Sequence, residues 1–125
     1  MKLTSLILTG FVAVEHVFIL VLEMFLWKTE FGMKVFQLTP ETAEITAKLA
    51  KNQGLYNGFL AAGLFWALLF IKDQNQKFQT ILFFLICVVV AGIYGSATAK
   101  FSILFSQGLP ALLALIVHYI ANKNR

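Results

Sequence analysis

Cysteine is almost missing from this chain: Cys87 is the only one in 125 residues. An intrachain disulfide is therefore excluded, and a cysteine-based zinc site or a dithiol redox centre lacks its ligands. Cys87 lies within a long apolar run and reads as a small packing residue. It is neither N-terminal nor C-terminal, so no lipidation box is present. Charge is scarce too, at 13% of residues, with six acids against ten lysines and arginines. A net charge of +4 would turn a soluble domain toward nucleic acid. Here the cations are spread over the ends of apolar runs, where they meet lipid headgroups, and no nucleic-acid partner is expected. The two histidines form no paired motif and the carboxylates no compact cluster, so no metal site is expected and the cofactor stays unknown. Internal repeats and low-complexity segments are absent as well.

What the chain has is apolar surface. Hydrophobic residues make up 59% of it and its mean hydropathy is +0.80, far above soluble domains. Four apolar stretches use most of the length: Leu3 to Trp27, Leu55 to Ile71, Phe78 to Ala99 and Phe101 to Ala121. The expected fold is an all-α membrane protein, a four-transmembrane-helix antiparallel bundle filling residues 1–125 as one domain. Lys2 before the first stretch resembles the start of a secretory signal. The stretch continues past Glu15 and His16 to Trp27 without a small-residue cleavage site, so a retained span is expected. Five basic residues flank each side, and acids dilute the group around Lys28 to Lys51, which tilts the termini toward the inside.

The longest link, Lys28 to Lys51, carries its own helix signal. Thr39-Pro40-Glu41 combines a hydroxyl cap, a first-turn proline and an acid at the positive dipole end. Ile45 and Leu49, among Glu44, Lys48 and Lys51, give a short amphipathic helix on the membrane surface between the first and second spans. The alternative is one long helix running on into the second span, since no proline separates them, although Asn52 and Gly54 offer a bend. Small residues recur at helix-approach spacing, as Gly54, Gly58 and Ala62 on the second span and Ala91, Gly95 and Ala99 on the third. They serve close packing, with a homo-oligomer through one of these faces as the alternative. Trp27 and Tyr119 are interfacial anchors, as is His118 near the last turn.

Three ionisable residues, Glu15, His16 and Glu23, sit inside the first span. At bilayer depth such groups cost ~2.5 kcal/mol or more unless protein or water receives them, which makes them site candidates. His16 and Glu23 differ by only ~20° around a helix, with Leu20 on the same stripe, while Glu15 points ~100° from His16. In an alternating bundle the remaining polar residues gather at one surface: Asn52, Gln53, Tyr56 and Asn57 open the second span, Ser96, Thr98 and Lys100 end the third, and Ser102, Ser106 and Gln107 begin the fourth. The expectation is a polar cleft. Glu15, His16 and Glu23 form its proton or ligand centre, and Gln53, Tyr56, Asn57 and Gln107 orient a ligand. Burial and a nearby imidazolium act oppositely on a carboxyl's proton, so these acids are suited to exchange one with a substrate.

The segments Glu15-His16, Glu23-Met24-Phe25-Leu26-Trp27 and Asn52-Gln53-Gly54-Leu55-Tyr56-Asn57-Gly58-Phe59-Leu60-Ala61-Ala62-Gly63 resemble the bacterial membrane proteins grouped as the domain-of-unknown-function 1304 family. The resemblance covers essentially the whole chain. It implies a multi-pass protein of the bacterial cytoplasmic (inner) membrane and supplies no chemistry.

Three functional readings follow. The first is binding or transport of a small molecule, with membrane lipid as the surrounding partner; size and an intramembrane acid in the first span are similar to the small multidrug resistance transporters, while His16 and the long link depart from them. The second is an enzyme acting on a lipid or isoprenoid by general acid and base steps, for which the catalytic residues are unknown because Glu15 and Glu23 stand ~12 Å apart along their helix. The third is a structural accessory subunit whose polar groups fix helix register.

Overall fold

A computed structural model describes residues 2–98 and 104–124, and among these all the regular secondary structure is helical. The order is α1 (Lys2–Met24), α2 (Glu30–Phe36), α3 (Pro40–Leu69), α4 (Gln74–Thr98), a π-helical turn (Leu104–Gly108) and α5 (Leu109–Asn122). Three helical segments are long and apolar enough to cross a membrane: Lys2–Met24, Gln74–Ala97 and Phe105–Asn122. The expected second span belongs to α3, a 30-residue helix in which Lys48, Lys51, Asn52, Gln53 and Asn57 precede or interrupt the apolar run. The sequence positions Ala99, Lys100 and Ser102 lie outside the described residues.

Pro40 starts α3 as its sequence signal indicates, with the Thr42 N–H donating to Thr39 Oγ1 at 3.1 Å. The amphipathic segment is not a separate helix, however. It continues without a break through Asn52 and Gly54 into the apolar part of α3, because nothing there interrupts the i to i−4 ladder. The short helix between α1 and α3 is instead α2, capped by Thr29, whose Oγ1 accepts from the Gly32 N–H at 3.1 Å. It stops at Gln37 in the left-handed conformation (φ 55°, ψ 49°), with the Gln37 N–H turned back to the Lys34 carbonyl.

The chain forms two compact units. One comprises Met1–Ala13 and Ala62–Arg125; the other is Val14–Ala61. In the first unit the core stripes follow helical spacing: Ser5, Thr9 and Val12 on α1, Leu64 and Ala67 on α3, Ile81, Leu85 and Val88 on α4, and Ala111, Ala114 and His118 on α5. Neighbours within it run antiparallel. Lys77 at the start of α4 reaches the Leu68 carbonyl at the end of α3, and Gly92 late in α4 meets Gly108 before α5. A Cβ at Gly92 would stand 2.8 Å from the Gly108 Cα, so the close approach falls one residue beyond the expected Ala91, which is exposed.

In the second unit α1 and α3 also run antiparallel. A Cβ on Gly58 would meet Leu20 Cδ1 at 2.5 Å, and one on Gly54 would meet Met24 Cγ at 2.6 Å and the Leu20 carbonyl at 3.2 Å. The two glycines let the helices approach as their spacing predicts. Trp27 closes the end of this unit, its indole N–H donating to Thr46 Oγ1 at 3.0 Å and its ring lying 4.7 Å from Phe36. Lys28 and Glu44 form an exposed ion pair at 3.3 Å beside it. Large side chains including Phe11, Phe18, Phe59, Trp66, Phe83 and Ile93 remain more than half exposed, which suits a surface facing hydrocarbon rather than water.

Candidate functional site

The stripe His16, Leu20, Glu23 on α1 is the polar wall of the second unit. His16 is buried, 1% exposed, and Leu20 and Glu23 face the glycines of α3. Opposite Glu23, the Asn57 amide donates to Glu23 Oε1 at 2.6 Å and to the Gln53 backbone carbonyl at 3.2 Å. Both amide protons are thereby engaged, which fixes the orientation of the group. One bond crosses between helices; the other ties the side chain to its own helix one turn back.

Glu15, one residue from His16, is differently placed. It is half-buried, and its Oε1 is shielded from solvent with no hydrogen-bond partner among the described residues. An ionised carboxylate only accepts hydrogen bonds, so a partner for this oxygen must bring a proton. Glu15 and Glu23 are two turns apart and serve different surroundings, the one open at an oxygen and the other tied to Asn57.

The other expected ligand residues are not gathered at this pair. Gln53 is exposed, and the part of it that meets Asn57 is its backbone carbonyl. Tyr56 is 52% exposed, its ring edge-on to Phe59 at 6.0 Å. Gln107 belongs to the first unit, half-buried in the π-helical turn. Ser96 Oγ donates to the Ile93 carbonyl of its own helix at 2.7 Å, and Ser106 is exposed. Among the described residues no three His, Cys, Asp or Glu side chains group as metal ligands.

A second polar centre, in the first unit, surrounds His118, which the sequence alone presents as an interfacial residue. This residue is buried, 2% exposed, and its ring stacks on Phe78 at 5.1 Å. Nε2 lies 3.1 Å from the Phe78 carbonyl, which can only accept, so Nε2 carries the proton. Nδ1 then accepts from the Ser5 hydroxyl at 2.9 Å. Asn122 donates to the His118 carbonyl at 2.8 Å. His118 therefore joins the beginnings of α1 and α4 to the end of α5. The pairing with Ser5 spans 113 residues, and no local pattern announces it. The one available signal was that Ser5, Thr9 and Val12 share a helix face, which makes the serine inward-pointing.

The comparisons agree with the resemblance carried by the Glu15-His16 and Asn52 to Gly63 segments. Residues 10–119 match the family described as "Protein of unknown function (DUF1304)". An uncharacterized protein, YpaA, of Lactococcus lactis subsp. lactis (strain IL1403) is 36% identical over 118 residues, covering 93% of this chain and 97% of its own. No solved structure matches. With the family match running from the first turns of α1 almost to the end of α5, the chain belongs to the DUF1304 family.

Proposed function

We propose that this protein is a four-span protein of the bacterial cytoplasmic membrane that binds a small molecule at the α1 polar wall and exchanges a proton with it, as a transporter would. The observation that carries the reading is the buried Glu15 Oε1 without a partner among the described residues. In hydrocarbon an unpaired carboxylate oxygen is costly. It is satisfied either by the carboxyl's own proton or by a donor on a ligand, and switching between the two couples binding to proton release. Glu15 is the exchanging group, His16 its buried neighbour, and Glu23 with Asn57 the clamp that holds α1 against α3. Gln53 and Tyr56 keep a secondary place as surfaces along a ligand's path within this unit. The Glu23–Asn57 bond itself favours a register-fixing role for that pair, so the structural reading applies to Glu23 and the ligand reading to Glu15.

Native mass spectrometry of protein gently extracted from its own membrane tests this. The wild type is expected to retain a specific small-molecule mass that Glu15→Gln loses and Glu23→Gln keeps. If all three carry only bulk lipid, the binding reading is rejected. Once the mass is identified, its uptake into proteoliposomes is expected to be abolished by Glu15→Gln, and unchanged uptake would reject the coupling role.

A further inference from the structure

We propose that a polar cavity at one end of the first unit, where Lys2, Lys77 and Asn122 converge over the His118–Ser5 pair, binds a phosphate group, carried by a membrane phospholipid or free in water. The cavity has a volume of about 150 Å³, room enough for a phosphate, and its polar lining is Lys2, Ser5, Gln74, Lys77, His118 and Asn122. No carboxylate is among the residues that line it. The acid nearest in sequence, Asp73, accepts from the Gln76 N–H at 2.8 Å as a cap of α4. Neither Lys2 nor Lys77 takes part in an ion pair among the described residues. Lys77 uses one of its three donors on the Leu68 carbonyl, at a long 3.4 Å, and keeps two.

The floor of the cavity is rigid where its rim is charged. His118 is held through both ring nitrogens, and Asn122 is tied to the His118 carbonyl, so polar groups are positioned before any ligand arrives. Two ammonium groups beside fixed amides, with no acid to neutralise them, suit a compact oxyanion that accepts several hydrogen bonds at once. The level of the cavity also fits. It lies at the beginnings of the candidate spans Lys2–Met24 and Gln74–Ala97 and at the end of Phe105–Asn122, the depth at which phospholipid phosphates sit. This inference is independent of the ligand reading for Glu15, which belongs to the other unit.

The test uses the full-length protein, delipidated in a neutral detergent. Phosphatidylglycerol is titrated and followed by native mass spectrometry, with diacylglycerol, which carries no phosphate, as the reference; in a parallel arm inorganic phosphate is titrated and followed by thermal unfolding. The expected result is one preferentially retained phosphatidylglycerol, weakened roughly tenfold in the double variant Lys2→Gln/Lys77→Gln and restored by Lys2→Arg/Lys77→Arg. The control Lys72→Gln/Lys123→Gln removes the same charge from exposed positions that do not line the cavity, and is expected to change retention by less than about twofold. Stabilisation by inorganic phosphate that depends on Lys2 and Lys77, with no lipid preference, would support the same site with a water-borne anion as its occupant. Equal weakening in the two double variants, or no dependence on Lys2 and Lys77 in either arm, would overturn the proposal.

Discussion

Asn57 is the residue through which α3 holds α1, and its two donated bonds differ in kind. The bond to the Gln53 carbonyl is local, whereas the bond to Glu23 Oε1 at 2.6 Å crosses between helices. Interhelical hydrogen bonds in membranes contribute about 0.6 kcal/mol on average and up to about 1.7 kcal/mol, because the separated helices find other partners. A double-mutant cycle of Glu23→Ala and Asn57→Ala, read by reversible unfolding in mixed micelles, should therefore give a coupling of about 1 kcal/mol; additive effects would remove the clamp from the account. His118 makes the contrasting case. Ser5→Ala deletes one bond to a ring that keeps its bond to Phe78 and its stacking, and should cost about 1 kcal/mol. His118→Ala removes the ring, opens a cavity and strands the Ser5 hydroxyl, and should cost about 3 kcal/mol. Equal losses for the two substitutions would mean that His118 is solvated and not the centre of the network.

Helix ends and the close approach at Gly54 and Gly58 were legible in the sequence because the forces that set them are local or periodic, whereas Ala62 and Ala91, expected on the same kind of face, are exposed. Thr39-Pro40-Glu41 starts α3 through a bond between neighbours three apart, and Thr39→Ala should lower stability by about 1 kcal/mol in the same unfolding measurement. Thr29 and Glu30 carried a similar signal for α2, overlooked because its seven residues are too short to show a period. The stripe of His16, Leu20 and Glu23 was readable from helix phase, as was the inward face of Gly54 and Gly58. What phase does not give is the partner across the gap, and so neither the bond from Ser5 to His118 nor the outward turn of Tyr56 could be read from it. Among the glycines the surroundings predict an order. A methyl at Gly54 meets the Leu20 carbonyl and the Glu23 Cβ, which cannot yield, so Gly54→Ala should cost about 2 kcal/mol. At Gly58 the close atom is the mobile end of Leu20, and Gly58→Ala should cost less. Gly10 has nothing within 4 Å, and Gly10→Ala should be neutral or stabilise α1 by up to about 1 kcal/mol. Three equal effects would contradict the packing of α1 on α3.

For the molecule as a whole the decisive quantity is the number of crossings, and it turns on α3. By length and composition three segments qualify among the described residues, and Asn52, Gln53 and Asn57 interrupt the apolar character of α3. The proposed fourth span is α3, and it packs on a candidate span in each unit. Within the first unit Gly63 faces the Phe84 ring, ten residues into α4 and therefore ~15 Å along a candidate span. Within the second unit Gly58 faces Leu20 near the far end of the candidate span α1. On the four-span proposal α3 enters the bilayer along most of its apolar length, beside α4 in the one unit and α1 in the other. Asn57 is tolerated there because both its amide protons are engaged. The four-span proposal has a topological consequence: Lys34 and Lys72, on either side of α3, would lie on opposite faces of the membrane. With Cys87→Ser as background, Lys34→Cys and Lys72→Cys should show opposite labelling by a membrane-impermeant maleimide in sealed, uniformly oriented vesicles. Labelling of both from the same side would mean that α3 rests against its neighbours without crossing, and would leave a three-span protein.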